Sequence, residues 1–135
     1  MKRMKYGNRK VEYEGMKFDS ARERDRYIYL VKAAERGEIR NLRRQVEYEL
    51  IPALKEAQEV VLRTKTKVVE KVVQRAVVYR ADFVYIRESD GVEVVEDIKI
   101  SPALLPKEYI LKEKLFRWRY GRAIRRVYKA GEAVC

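Results

Sequence analysis

The 135-residue sequence has no histidine and one cysteine, Cys135, its last residue. An internal disulfide is therefore excluded, and the imidazole and paired-thiolate ligands of zinc, haem and iron–sulfur sites are missing. Any resident metal ion must be held by oxygen, which points to Mg²⁺ or Mn²⁺. No apolar run approaches the length of a membrane span, and no signal-peptide core follows Met1. Without a disulfide framework, the reducing cytoplasm is the expected compartment. Internal repeats and low-complexity segments are also lacking. Only three prolines and six glycines punctuate the chain.

What is present is apolar and basic. Hydrophobic residues make up 47% of the chain, enough to bury a core, and the length fits one domain over 1–135. The net charge of +11 favours a polyanionic partner. Residues 1–15 read as a basic N-terminal arm and lead-in, opening Lys2-Arg3-Met4-Lys5.

Ser20 and Glu23 have capping-box spacing and open a first helix that runs to about Arg36, with Gly37 suited to its C′ position. From about Arg43 to Ile51, Val46, Tyr48 and Leu50 alternate on one face, and Pro52 ends that strand. Residues 55–75 read as a variable, charged hairpin, with a helix over Lys55–Gln58 as the alternative. Strands follow over Val77–Arg87 and Val92–Ile100, separated by the turn Ser89-Asp90-Gly91. Pro102 and Pro106 bracket a loop, Lys107–Tyr120 reads as a second helix closed by Gly121, and Ala123–Tyr128 as a last strand. The expected class is α/β, ordered helix, three strands, helix, strand, with an extra charged hairpin.

Two carboxylates interrupt the apolar strands: Asp82 in Tyr-Arg-Ala-Asp-Phe, and Asp97 in Glu-Asp-Ile-Lys, with Lys99 two residues on. A carboxylate in a buried strand is costly unless paired. Side chains alternate along a strand, so Asp97 and Lys99 share one face with Val95 while Glu96 faces away. A pair of strand carboxylates with a neighbouring ammonium suits a Mg²⁺ ion and a phosphodiester. The blander readings are solvated edge-strand charges and an Asp82–Arg80 ion pair. Glu23 shares a helical face with Tyr27, Leu30 and Ala34, which turns it toward the sheet; its competing role is the cap of Ser20. Glu96 becomes an alternative ligand if a β-bulge shifts the register. Arg22, Arg24 and Arg26 read as solvated helix surface.

From Lys107 to Lys129 there are nine Lys or Arg against two Glu. Lys112, Lys114, Arg117 and Arg119, with Gln45 at the head of the first core strand, are the expected DNA contacts. Trp118 and Phe116 read first as core packing and second as base stacking.

Glu23, Asp82, Asp97 and Lys99, in this order and on these elements, resemble the PD-(D/E)XK nuclease superfamily. Its first-motif Asp corresponds to Asp82, with Ala81 where that motif carries Pro, and its (D/E)-x-K to Asp97-Ile98-Lys99. Lys5-Tyr6-Gly7-Asn8, Phe18-Asp19-Ser20, the strand headed by Gln45, and the basic helix ending in Tyr120-Gly121 are similar to an uncharacterised phage and prophage family. That family resembles Holliday junction resolvases, and the likeness runs from about Lys5 to Tyr120. The resemblance implies a restriction-endonuclease-like core and a Mg²⁺-dependent, structure-selective DNA endonuclease for which Mn²⁺ can substitute. It implies Glu23, Asp82 and Asp97 as metal ligands and Lys99 as the catalytic cation. It also implies branched DNA as partner in recombination, a homodimer, and the host cytoplasm as location. A non-catalytic basic DNA- or RNA-binding module is the alternative.

Overall fold

The computed structural model describes residues 9–134. The Lys5–Asn8 motif, most of the expected arm and Cys135 lie outside the described residues. Part of the expected lead-in is structured: β1 (Val11–Tyr13) and β2 (Met16–Phe18) form an antiparallel hairpin. Glu14 and Gly15 join them with φ of 49° and 77°, the paired positive φ of a type I′ turn.

Helix α1 (Ala21–Glu35) starts where expected, because Ser20 Oγ accepts the Glu23 backbone N–H at 3.1 Å. It ends at Gly37, whose φ of 77° costs a glycine little. Strands β3 (Ile39–Ile51), β6 (Val77–Arg87), β7 (Glu93–Ile98) and β8 (Arg125–Val127) form one sheet in the order β3-β6-β7-β8. The first three run antiparallel. β8 is parallel to β7 and is reached through α2 (Lys107–Tyr120), as a parallel connection requires. The chain is thus α/β. β3 begins four residues earlier than the alternation indicated, because a register irregularity between Arg40 and Arg43, with Asn41 at φ 55°, masks its first turn of the pattern.

Residues 55–75 are a hairpin, β4 (Leu54–Val61) with β5 (Thr66–Gln74), so the helical alternative for Lys55–Gln58 is discarded. It forms its own two-stranded sheet and is exposed almost throughout.

The four-stranded sheet has a core on each face. Val84 and Val95 pack with Tyr109 and Phe116 of α2. Phe83, Tyr85 and Val94 pack with Leu30 and Ala33 of α1. The β6–β7 register pairs Val84 with Val95 and Phe83 with Glu96 without a shift. Asp97 therefore faces the α2 side and Glu96 the α1 side. The bulge that would have turned Glu96 into a ligand is not there.

Candidate functional site

A cleft of about 440 Å³ opens at the end of the sheet where β6, β7, the start of α1 and the start of α2 meet. Its walls carry Asp19, Glu23, Asp82, Asp97, Lys99, Tyr79, Tyr109 and Lys112. The four residues singled out for chemistry thus come together from three elements. Asp82 hangs from the middle of β6, Asp97 and Lys99 from the end of β7, and Glu23 from the first turn of α1.

The contacts within the cleft are specific. Asp82 and Asp97 are in hydrogen-bond reach of each other, and Asp82 Oδ2 accepts the Ile98 backbone N–H at 2.8 Å. Lys99 Nζ lies 2.9 Å from Asp97 Oδ2 and 3.6 Å from the centre of the Tyr109 ring, so its ammonium is held from two sides. Arg80, the bland partner considered for Asp82, pairs instead with Glu47 at 2.6 Å. Glu23 does more than cap: its Oε1 accepts from Gln45 Nε2 at 2.9 Å, and the same nitrogen lies 3.4 Å from Asp82 Oδ1. Gln45 was expected to touch DNA. It stands between two carboxylates, with φ of 50°, a conformation unusual for a residue with a Cβ. Because it faces carboxylates on both sides, the amide must present its NH₂ and not its oxygen.

This crowding of negative charge has an electrostatic signature. Burial, then Asp82 and Asp19, push the Glu23 carboxyl up to about 7, against smaller lowering by Arg44 and Gln45. Burial, then Asp97, push Asp82 well above the ordinary carboxylate range, against the Ile98 N–H and Lys99. In a protein of net charge +11, this is a local excess of acid. Perturbed carboxylates in a cleft are a mark of functional sites. The Tyr79 hydroxyl, on the cleft wall, is buried without a hydrogen-bond partner among the described residues.

The donor set fits a hard divalent cation: it is all oxygen, anionic, and short of positive charge. Among the described residues, no three acidic side chains stand close enough to ligate one ion as they are placed. The reason is local. The Gln45 amide lies between Glu23 and Asp82, Lys99 sits on Asp97, and burial beside Asp97 favours a proton on Asp82. A cation between Asp82 and Asp97 would replace that proton, so its binding would be coupled to proton release.

Glu96 belongs to a different construction. Its carboxylate is fully buried and bonded by Arg26 through Nε at 2.9 Å and Nη2 at 2.6 Å, and by the Tyr85 hydroxyl. Arg26, read from sequence as solvated surface, is fully buried. Its Nη1 also donates to the Ala130 and Glu132 carbonyls, so it ties the C-terminal segment to α1 and β7. One turn separates Arg26 from Glu23, and Glu96 neighbours Asp97. The bidentate pair therefore fixes the two elements that carry cleft acids. Arg22 adds a second tie, donating to the carbonyls of Lys99 at 3.5 Å, Ile100 at 3.3 Å and Tyr128 at 3.1 Å.

The expected DNA contacts divide. Lys112 is at the cleft, paired with Glu108 at 3.2 Å. Lys114 and Arg117 line a second depression further along α2, with Glu113 and Arg126. Arg119 is drawn to Glu49 at 3.0 Å. Phe116 is buried as expected, whereas Trp118 is 80% exposed, which corrects its reading as core. No described helix is long and apolar enough to cross a membrane.

A family model described as "Protein of unknown function (DUF1064)" matches residues 3–131, nearly the whole chain. No curated protein and no solved structure matches it. The chain belongs to that family.

Proposed function

We propose that this member of the family is a metal-dependent DNA endonuclease of the PD-(D/E)XK kind, selective for branched DNA in the manner of a phage Holliday junction resolvase. The observation that carries the reading is the convergence of Glu23, Asp82, Asp97 and Lys99 on one cleft of an otherwise strongly basic protein. Asp82 and Asp97 would hold Mg²⁺ or Mn²⁺, with Glu23 beside them. Such an ion, when bound, supplies Lewis acidity toward a phosphate oxygen and makes water a better nucleophile.

The chain's own residues do the rest. Asp82 is aimed by the Ile98 N–H, and Glu23 by the Gln45 amide. Lys99, held between the Tyr109 ring and Asp97, is placed to stabilise negative charge developing on the phosphate. Selectivity is expected to rest on the geometry of the DNA backbone. Symmetric cutting of a junction calls for a homodimer working in the host cytoplasm.

The experiment is an Mg²⁺-dependent cleavage assay across four-way junctions, flaps, nicked duplex, linear duplex and single strands. Cleavage of branched substrates that EDTA abolishes is the expected result. Salt-sensitive binding to all of these DNAs without cleavage in Mg²⁺ or Mn²⁺ would replace the reading with a non-catalytic DNA-binding module.

A further inference from the structure

The outward face of α2 has no role in the cleft. Lys107, Leu111, Lys114 and Trp118 follow at i, i+4, i+7 and i+11, so they form one stripe, opposite the buried Tyr109 and Phe116. All four are exposed, Leu111 at 58% and Trp118 at 80%. Among the described residues, Lys107, Lys114 and the adjacent Arg117 enter no ion pair, and nothing stacks on the Trp118 ring. An indole this exposed beside unpaired cations is open to a partner.

The pattern chooses among occupants. A protein helix or a second copy would want a continuous apolar strip, but Lys114 interrupts Leu111 and Trp118. An anionic chain with flat apolar faces matches an indole set among free cations. That is a DNA strand whose bases are unpaired, its phosphates on Lys107, Lys114 and Arg117 and a base on the ring. Tyr109 of the same helix lines the cleft from the opposite side, so the stripe is a surface separate from it.

Resting on the endonuclease reading, we infer that Trp118 stacks on an unpaired base of the DNA substrate, on the face of α2 turned away from the cleft. The preferred substrates are then branches that expose single-stranded nucleotides, such as forks and flaps, over fully paired duplex.

Trp118 is the sole tryptophan among ten tyrosines, so fluorescence excited at the red edge, where tyrosine does not absorb, reports this position alone. Full-length protein in EDTA is titrated with a DNA fork, the same fork with abasic sites in its single-stranded arm, and a paired duplex of equal length. The fork should quench the fluorescence, and the abasic fork and the duplex should not. Trp118→Ala, at a site too exposed to matter for folding, should weaken fork binding by about 5- to 150-fold and leave duplex binding unchanged. Trp118→Tyr should recover most of the loss. Equal quenching by the abasic fork, or an unchanged Kd for Trp118→Ala, would overturn the inference. So would a fluorescence change with protein concentration alone, which would assign the face to a second copy. Cleavage in Mg²⁺ without quenching in EDTA would sink the stacking and spare the nuclease; quenching without cleavage would do the reverse.

Discussion

Crowded acids at the cleft make folding stability depend on pH in a direction opposite to ordinary acid denaturation. Glu23 is pushed from 4.5 to about 7 on folding, chiefly by burial and then by Asp82 and Asp19. The native state then holds a proton that the unfolded chain has released. Across the window from about 4.5 to about 7, stability falls as pH rises; the contribution is intact below the window and lost above it. A shift of this size corresponds to at most about 3.5 kcal/mol, at about 1.4 kcal/mol per unit. Asp82, displaced in the same direction, adds to the fall. The assay is urea unfolding from about pH 5 to about pH 8, in EDTA and in excess Mg²⁺, on wild type and Glu23→Gln. Gln mimics the protonated acid and can still accept from Gln45, so the variant should match wild type near pH 5 and exceed it near pH 8 in EDTA. Mg²⁺ should flatten the wild-type slope, because the cation takes the place of protons. Parallel pH profiles for wild type and variant would refute the crowding argument. A slope that Mg²⁺ leaves untouched would refute the cation's place in it.

Three further outcomes are expected. Arg26→Met strands the fully buried Glu96 carboxylate and should cost about 3–5 kcal/mol by urea unfolding. Arg26→Met with Glu96→Leu should recover most of that loss. Lys99→Ala should slow Mg²⁺-dependent cleavage by about 10²- to 10³-fold in single-turnover assays while changing DNA affinity little. Gln45→Gly relieves the positive φ but removes the amide between Glu23 and Asp82. Its thermal stability should stay near wild type while cleavage falls, and full activity would show that the amide does not position Glu23.

Much of the arrangement was legible because local signals agreed. Asp82 and Asp97 announced themselves as acids inside β-branched runs, and the two-residue step to Lys99 put both groups on one strand face. The Ser20 cap and the stripe through Leu30 turned Glu23 inward. Other features depended on tertiary context. Nothing in the spacing marks Gln45 for a left-handed conformation, so its amide was not seen to join the acids. Arg26 looked like one of three alternating arginines. The available clue was Glu96, placed on an apolar strand face between Val94 and Ile98, where it required a buried cation. The Glu14-Gly15 pair between Val11, Tyr13 and Met16, Phe18 was a hairpin signal obscured by the basic segment before it. Trp118 was misplaced because aromatics are usually buried, and sequence alone does not reveal which helix face meets the sheet.

Asp82 and Asp97 are proposed to form a metal site that cuts DNA. The most direct test is Mg²⁺-dependent cleavage of a branched DNA by wild type, Asp82→Asn and Asp97→Asn, with binding to the same DNA measured in EDTA. Both substitutions keep shape and remove a ligand charge. Cleavage by wild type alone is expected, with all three proteins folded and binding comparably. Cleavage by either variant at near the wild-type rate, or by none of the three in Mg²⁺ or Mn²⁺, would contradict it.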